Sequence, residues 1–324
     1  MKISSKPMKV KTHITYICML CICLMTACSE KEDRPSGRNV TMKTSVGEVG
    51  VFSKAVTASP YLGSDVSENN LAASLWFSLQ SGQYSTAIPT NTDTYIPCHT
   101  DITFKTNDIT TILYNGDEAK ALKYPTDGTS IYCVGLYPQN VWSWDATNGF
   151  TADITGENDL MFAPEISGTW TAQFNTTTAN SQKFSHLLTW IKVVVCASSH
   201  EAAQIWGTIN SITVNTAQKI NVAKADGTGI TYTGSQPLTI WDTATELSIN
   251  QKETGSLFCA PAAGYTLTVT TEDGLTASKT MTVNGGFKAG NQYLIVLYFS
   301  ELSIIDGICS LNSWENQNDN LYLN

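Results

Sequence analysis

The chain has 324 residues and a formal net charge of −9, with 19 basic and 28 acidic residues. Its length is comfortable for two domains, and a charged content of 15% is too low for a solvated coil or a long charged helix. The scarcity of bases excludes a nucleic-acid partner, because no basic patch exists to neutralise phosphates, while abundant Thr, Val, Ile and Tyr point to a β-rich extracellular protein.

The first residues read as an address. Lys2, Lys6, Lys9 and Lys11 precede an apolar run from Ile14 to Met25 that is too short to span a bilayer. The run ends Leu24-Met25-Thr26-Ala27-Cys28. Small residues directly before a cysteine resemble a bacterial lipobox, which implies cleavage after Ala27 and a lipid on Cys28. The plain alternative is a signal peptide over residues 1–27 whose cleavage falls beside a cysteine. Met25 stands where Leu is usual. Ser29-Glu30-Lys31-Glu32-Asp33 is similar to the acidic tag of surface-exported lipoproteins of Bacteroidales-type bacteria. Four lysines and no acid leave with the leader, so −9 becomes −13 in the mature chain.

Residues 28–38 form a polar linker holding Arg34 and Arg38, the only arginines of the protein. Residues 39–46 alternate as a first strand, with Val40 and Met42 on one face and Thr44 next in phase. Short apolar runs broken by Gly, Pro, Asn and Asp follow at 73–79, 94–97, 101–105, 121–124, 130–137, 160–163 and 169–174. A polar break at 176–182 divides the chain. Beyond it, runs at 184–197, 207–215, 219–223, 238–241, 247–249, 256–260, 265–271, 275–283, 292–299 and 302–310 continue the pattern. No apolar stripe of helical period lasts three turns, and 201–205 forms at most a short helical turn before Trp206. Many short strands with frequent turns predict an all-β sandwich architecture over 39–182 and 183–324.

Cys18, Cys21 and Cys23 leave with the leader. Cys98, Cys133, Cys196, Cys259 and Cys309 remain, with wide spacing and no CxxC pair, so no zinc or redox site is expected. Cys133 and Cys196 lie in apolar strands and read as small buried hydrophobes. His186 stands among Phe184, Leu187 and Leu188 with no partner visible in the sequence, and reads as a hydrogen-bonded histidine near the junction. There is no nucleophile elbow, metal spacing or phosphate loop, so neither an enzyme nor a cofactor is expected.

Three ordered stretches resemble the fimbrillin family of type V pili. The first is Leu122-Lys123-Tyr124-Pro125-Thr126-Asp127-Gly128 running into Ile131–Tyr137 and Pro138. The second is Asp159-Leu160-Met161-Phe162-Ala163, followed by Phe184-Ser185-His186-Leu187-Leu188. The third is Phe287-Lys288-Ala289-Gly290-Asn291-Gln292-Tyr293. Trp314 is similar to a closing tryptophan of the family. The resemblance implies two tandem transthyretin-like β-sandwiches, made as an outer-membrane lipoprotein anchored through Cys28. It also implies a mechanism. A trypsin-like protease removes the first strand, and the C-terminal strand of another subunit fills the open groove. The family's cut follows the first strand, where Lys54-Ala55 stands here with Lys in place of Arg, so either a Lys-tolerant protease acts there on a structural pilus subunit, or the chain keeps its lipid as an anchor or accessory subunit. Arg38 is the other candidate, but cutting there leaves residues 39–46 attached. Leu321 and Leu323 in the tail are either donor-strand knobs or part of an ordinary last strand. The competing function is a surface lipoprotein binding glycans of host or bacterial origin, with Trp142 and Trp144 stacking on sugar or packing internally. Asp242-Thr243-Ala244 resembles an O-glycosylation acceptor.

Overall fold

The computed structural model describes residues 38–42, 44–46, 71–84, 98–104, 110–114, 117–174, 182–305 and 309–312. The chain from Arg38 onward forms one compact unit. The fold is all-β. One six-stranded sheet has the order Thr44–Val46, Gln182–His186, Met161–Gly168, Ile131–Tyr137, Leu71–Ser78, Cys98–Phe104. Its pairs are antiparallel except the first, in which Thr44–Val46 runs parallel to Gln182–His186.

Both faces of this sheet are covered over its central strands Leu71–Ser78 and Ile131–Tyr137, which is why these two read as nearly continuous apolar runs. One face carries Leu75, Phe77, Cys133, Met161 and Phe184, packed with Val40, Met42, Leu122 and Tyr124. The other carries Trp76, Val134, Leu136 and Phe162. These pack with Phe150, Ile220 and Val222 of a four-stranded sheet. Its order is Ile230–Thr233, Lys219–Val222, Gly149–Asp153, Ser143–Asp145. The two sides of residue 182 therefore interlock, because Lys219–Val222 pairs with Gly149–Asp153 through the register Phe150↔Val222 to Asp153↔Lys219.

Thr41–Met42 with Thr110–Thr111, and Leu113–Tyr114 with Asp117–Ala121, make two-stranded pairs, and the remaining strands form a sandwich of two five-stranded sheets. The first has the order Lys252–Cys259, Thr189–Ala197, Gln292–Phe299, Ile304–Ile305, with Cys309–Asn312 also on Gln292–Phe299. The second has the order Gln236–Trp241, Thr208–Thr216, Ala262–Thr271, Thr276–Phe287, with Thr245–Glu246 also on Thr208–Thr216. Ile191, Val193, Val195, Ile295 and Leu297 of the first face Ile212, Val214, Leu267, Val269 and Met281 of the second.

Several expectations hold closely. The run at 292–299 is the strand Gln292–Phe299, and the run at 130–137 is Ile131–Tyr137. The helical turn is the helix His200–Trp206, capped by Ser199, whose Oγ accepts the Ala202 N–H at 3.0 Å. Gly128 and Gly290 adopt φ of 85° and 72°, the left-handed turns for which glycine is suited.

Others need correction. The run at 184–197 is not one strand: Gln182–His186 belongs to the six-stranded sheet and Thr189–Ala197 to the sandwich. Leu187 and Leu188 make the crossing, and their burial hides it in an unbroken apolar pattern. Residues 169–174 are a turn, closed by Thr169 N–H to Ala172 O at 2.8 Å and by the Thr169 hydroxyl, which accepts the Ala172 N–H at 3.0 Å. The run at 247–249 lies outside any strand, and 302–310 is broken into Ile304–Ile305 and Cys309–Asn312. The run at 94–97 lies outside the described residues.

Cys133, Cys196 and Cys259 are buried thiols and no part of a disulfide. Burial pushes the Cys259 thiol up to about 12 and raises Cys196 as well. In the folded chain at pH 8, these three thiols are expected to resist alkylation, and to react only in denaturant, as read by mass mapping of labelled peptides. Rapid native labelling of Cys259 would contradict this.

Candidate functional site: the first-strand slot and the junction pair

The alternation read at 39–46 is realised over 39–42, where Val40 and Met42 are both 0% exposed and Thr41 is half-buried, but the stretch is two short strands, Thr41–Met42 and Thr44–Val46, in different sheets. Three wall segments hold the strand. Arg38 O accepts the Tyr124 N–H at 3.1 Å, and Asn39 bridges Lys123. Val40 donates its N–H to Leu122 O at 2.7 Å and accepts the Ile112 N–H at 2.9 Å. Thr41 and Met42 then pair antiparallel with Thr111 and Thr110. Thr44–Val46 continues on the other side of the core, parallel to Gln182–Phe184. Burying two such side chains stabilises the fold by about 3–6 kcal/mol.

The slot can therefore do one thing chemically. Without its strand it would present an apolar cleft rimmed by main-chain groups of residues 112, 122 and 124 that lack partners. Its walls were in the sequence as Ile112, Leu122 and Tyr124, but their apolar alternation is too short to mark a strand-binding groove.

Arg38 is exposed at its side chain, with the guanidinium 5.3 Å over the Trp170 ring. Ala27, Cys28, Lys54, Trp314 and the tail with Leu321 and Leu323 lie outside the described residues.

The two halves of the second motif meet. Met161 pairs with His186 across the sheet, which brings Asp159 against the imidazole. Asp159 Oδ2 and His186 Nδ1 are 2.6 Å apart, with side chains 0% and 2% exposed. Asp159 Oδ1 has no hydrogen-bond partner among the described residues. The segment that carries Asp159 is tied to strands beyond the junction. Ile154 donates to Gln218 O at 2.8 Å, and Phe258 donates to Gly156 O at 2.9 Å. His186 is thus hydrogen-bonded, as expected. Its partner was missed because 27 residues separate the two. The available signal was an acid set directly before the apolar run Leu160–Ala163.

The third motif closes on itself. Phe287 and Tyr293 rings meet edge-on at 4.8 Å, and Tyr293 OH accepts the Lys288 N–H at 3.1 Å. Trp142 is buried, its Nε1–H donating to Tyr137 O at 3.0 Å. Trp144 is half-buried against Phe150 at 4.6 Å and Tyr84 at 5.7 Å. The pair packs internally and forms no open sugar platform. Thr243 of Asp242-Thr243-Ala244 is exposed. Among the described residues, no three or more His, Cys, Asp or Glu are grouped to hold a metal ion, and no helix is long and apolar enough to cross a membrane.

No protein-family model matches the chain, and no curated protein resembles it in sequence. Solved structures do resemble it. A proposed cell adhesion protein of Bacteroides uniformis superposes with a TM-score of 0.53 at 16% identity, covering 87% of this chain and 100% of that one. A proposed cell adhesion protein of Bacteroides ovatus gives 0.49 at 14% identity, over 87% of this chain and 100% of that one. A proposed adhesin of Bacteroides thetaiotaomicron gives 0.49 at 8% identity, over 86% and 97%. What the chain shares with the first of these is its all-β fold.

Proposed function

We propose that the protein is a cell-surface adhesion subunit of the fimbrillin type, exported as a lipoprotein anchored to the outer membrane through Cys28. In this reading it assembles by strand exchange. The observation that carries the reading is the first strand, with Val40 and Met42 buried and its backbone held between residues 110–112 and 122–124. That strand is a placeholder. Once it leaves, a strand of a second subunit restores the same hydrogen bonds and fills the same two slots. Leu321 and Leu323 repeat the two-residue spacing of Val40 and Met42, so the tail is the proposed donor. The passage between sandwiches belongs at about residue 182, with the handover through Gln182–Leu188. The adhesion name printed for the Bacteroides uniformis structure supports a surface role.

The proposed release cut follows Lys54. Cutting after Arg38 would leave both knobs in place, and the Arg38 carbonyl is engaged by Tyr124, so a protease must first peel the strand. Protein recovered from surface polymers is expected to begin at Ala55 by N-terminal sequencing. Polymers whose subunits begin at Asn39 or at Cys28 would refute release of the first strand. In a second assay, chain cleaved at Lys54 is expected to form a heat-labile ladder of oligomers, and the same chain lacking residues 314–324 to form none. A ladder unaffected by that deletion would remove the tail as donor.

A further inference from the structure

The outer face of the second sandwich sheet has an unusual chemistry. Across it, register aligns Thr239, Thr213, Thr268 and Ser278 in one row. Ser211, Thr270 and Thr276 form a second row. Thr266 and Thr280 pair in a third, with Asn215 on the neighbouring strand. All of these side chains are exposed or half-exposed. Lys279 is the only charged residue in the four main strands, and its place opposite Leu267 turns it to the other side. An exposed strand ordinarily carries Lys or Glu on its solvent side, and this chain does so elsewhere, at Lys252 and Glu253 and in the exposed pair Lys219–Asp153. Neither aromatic nor large aliphatic side chains stand in these rows.

The hydroxyls are prearranged. Thr266 and Thr280 are 2.8 Å apart, as are Thr268 and Ser278. Each hydroxyl pair spends one donor and one lone pair internally, which leaves a donor and further lone pairs directed outward. Neighbouring rows stand at the strand and pleat spacings of a sheet, so the groups form a flat lattice. A surface of this kind offers nothing to an anionic or cationic polymer, and no anchor for a protein hot spot. It matches a partner that is itself uncharged and dense in hydroxyls.

We propose that this face is a docking surface for a neutral polysaccharide. The inference does not rest on strand exchange, since the folded precursor already presents the face. Neutral hydroxyl contacts are individually weak, so useful affinity comes from many repeats along one polymer. Because no charge takes part, binding should be indifferent to salt.

The test is affinity electrophoresis of the full chain through gels containing soluble neutral glucans, mannans, galactans and arabinans, with a polyuronate as the charged control. At least one neutral polymer is expected to retard the protein equally at low and high salt, and the polyuronate is expected not to. The double variant Thr213→Val with Thr268→Val keeps β-branched residues and should bind roughly tenfold more weakly, the effect of losing about two neutral hydrogen bonds. Thr268→Lys, which keeps the surface soluble, should weaken binding comparably, with unchanged thermal unfolding. The proposal is overturned if no neutral polymer retards the wild type, if both folded variants are retarded as strongly, or if retardation collapses in salt.

Discussion

Asp159→Ala is expected to lower the stability of the folded chain by about 1–3 kcal/mol, the usual cost of leaving a buried polar group without its hydrogen-bond partner. Both side chains are essentially sealed from water, at 0% and 2% exposure, so water does not readily replace the lost partner. The carboxylate also helps to tie the 154–160 segment to the end of the strand Gln182–His186, where Leu160 O accepts the Leu187 N–H at 2.8 Å. Its removal leaves the imidazole buried without its 2.6 Å partner. Replacing both residues with leucine should cost less than Asp159→Ala alone, because the buried imidazole that has lost this partner is removed with it. Urea unfolding of the wild type, the single variant and the double variant measures this directly. A single variant within about 0.5 kcal/mol of the wild type would show that the pair is only a bystander at the junction.

The second large effect is expected at the first strand. Val40→Ala combined with Met42→Ala should cost about 4–6 kcal/mol, from lost transfer energy plus the cavities left in a close-packed core. That is a large part of the ~5–15 kcal/mol by which a typical domain is stable. Since both residues sit on one short segment, the loss should appear first as local opening. Amides of Val40, Ile112 and Tyr124, whose hydrogen bonds the strand makes, should lose hydrogen-exchange protection before those of the strand Gln292–Phe299. The Arg38–Asn39 bond should become open to an arginine-specific protease that spares the wild type. Equal protection in the double variant and the wild type would mean that the strand contributes nothing to closing the slot.

Legibility in the sequence followed the chemistry of each element. Strands buried on both faces, such as Ile131–Tyr137 and Gln292–Phe299, are bounded by turn residues and could be read with their ends nearly correct. The strands Ser143–Asp145 and Gly149–Asp153 were not visible. They are short, and they flank a turn in which Asp145 Oδ1 accepts the Thr147 and Asn148 N–H groups at 2.9 and 2.8 Å. Phe184–Ala197 misled in the opposite direction: a crossing between sheets made of Leu187 and Leu188 is as apolar as the strands it joins. Val40 and Met42 were legible because two-residue alternation is the direct signature of a half-buried strand. The Asp159–His186 contact was not, because strand pairing across the sheet creates it and no local pattern encodes that register. The hydroxyl rows were hidden for a related reason. Threonine counts as a strand former wherever it occurs, and only the pairing of strands shows which threonines share a face.

The interlock between Gly149–Asp153 and Lys219–Val222 has a kinetic consequence. Phe150 and Ala152 have their outer partners, Val222 and Ile220, about 70 residues downstream, with the strand Thr189–Ala197 lying in between. The earlier part of the chain thus cannot finish its own core as it emerges. It must wait with that surface uncovered until the later hairpin arrives, so closure of this layer is a late and slow event. During that interval the chain is exposed to self-association. Under the export proposed above, a polypeptide built in this way gains from being held extended until its last strands have crossed the membrane. Fragments ending near residue 182 should accumulate as aggregates, whereas the intact chain released all at once should fold.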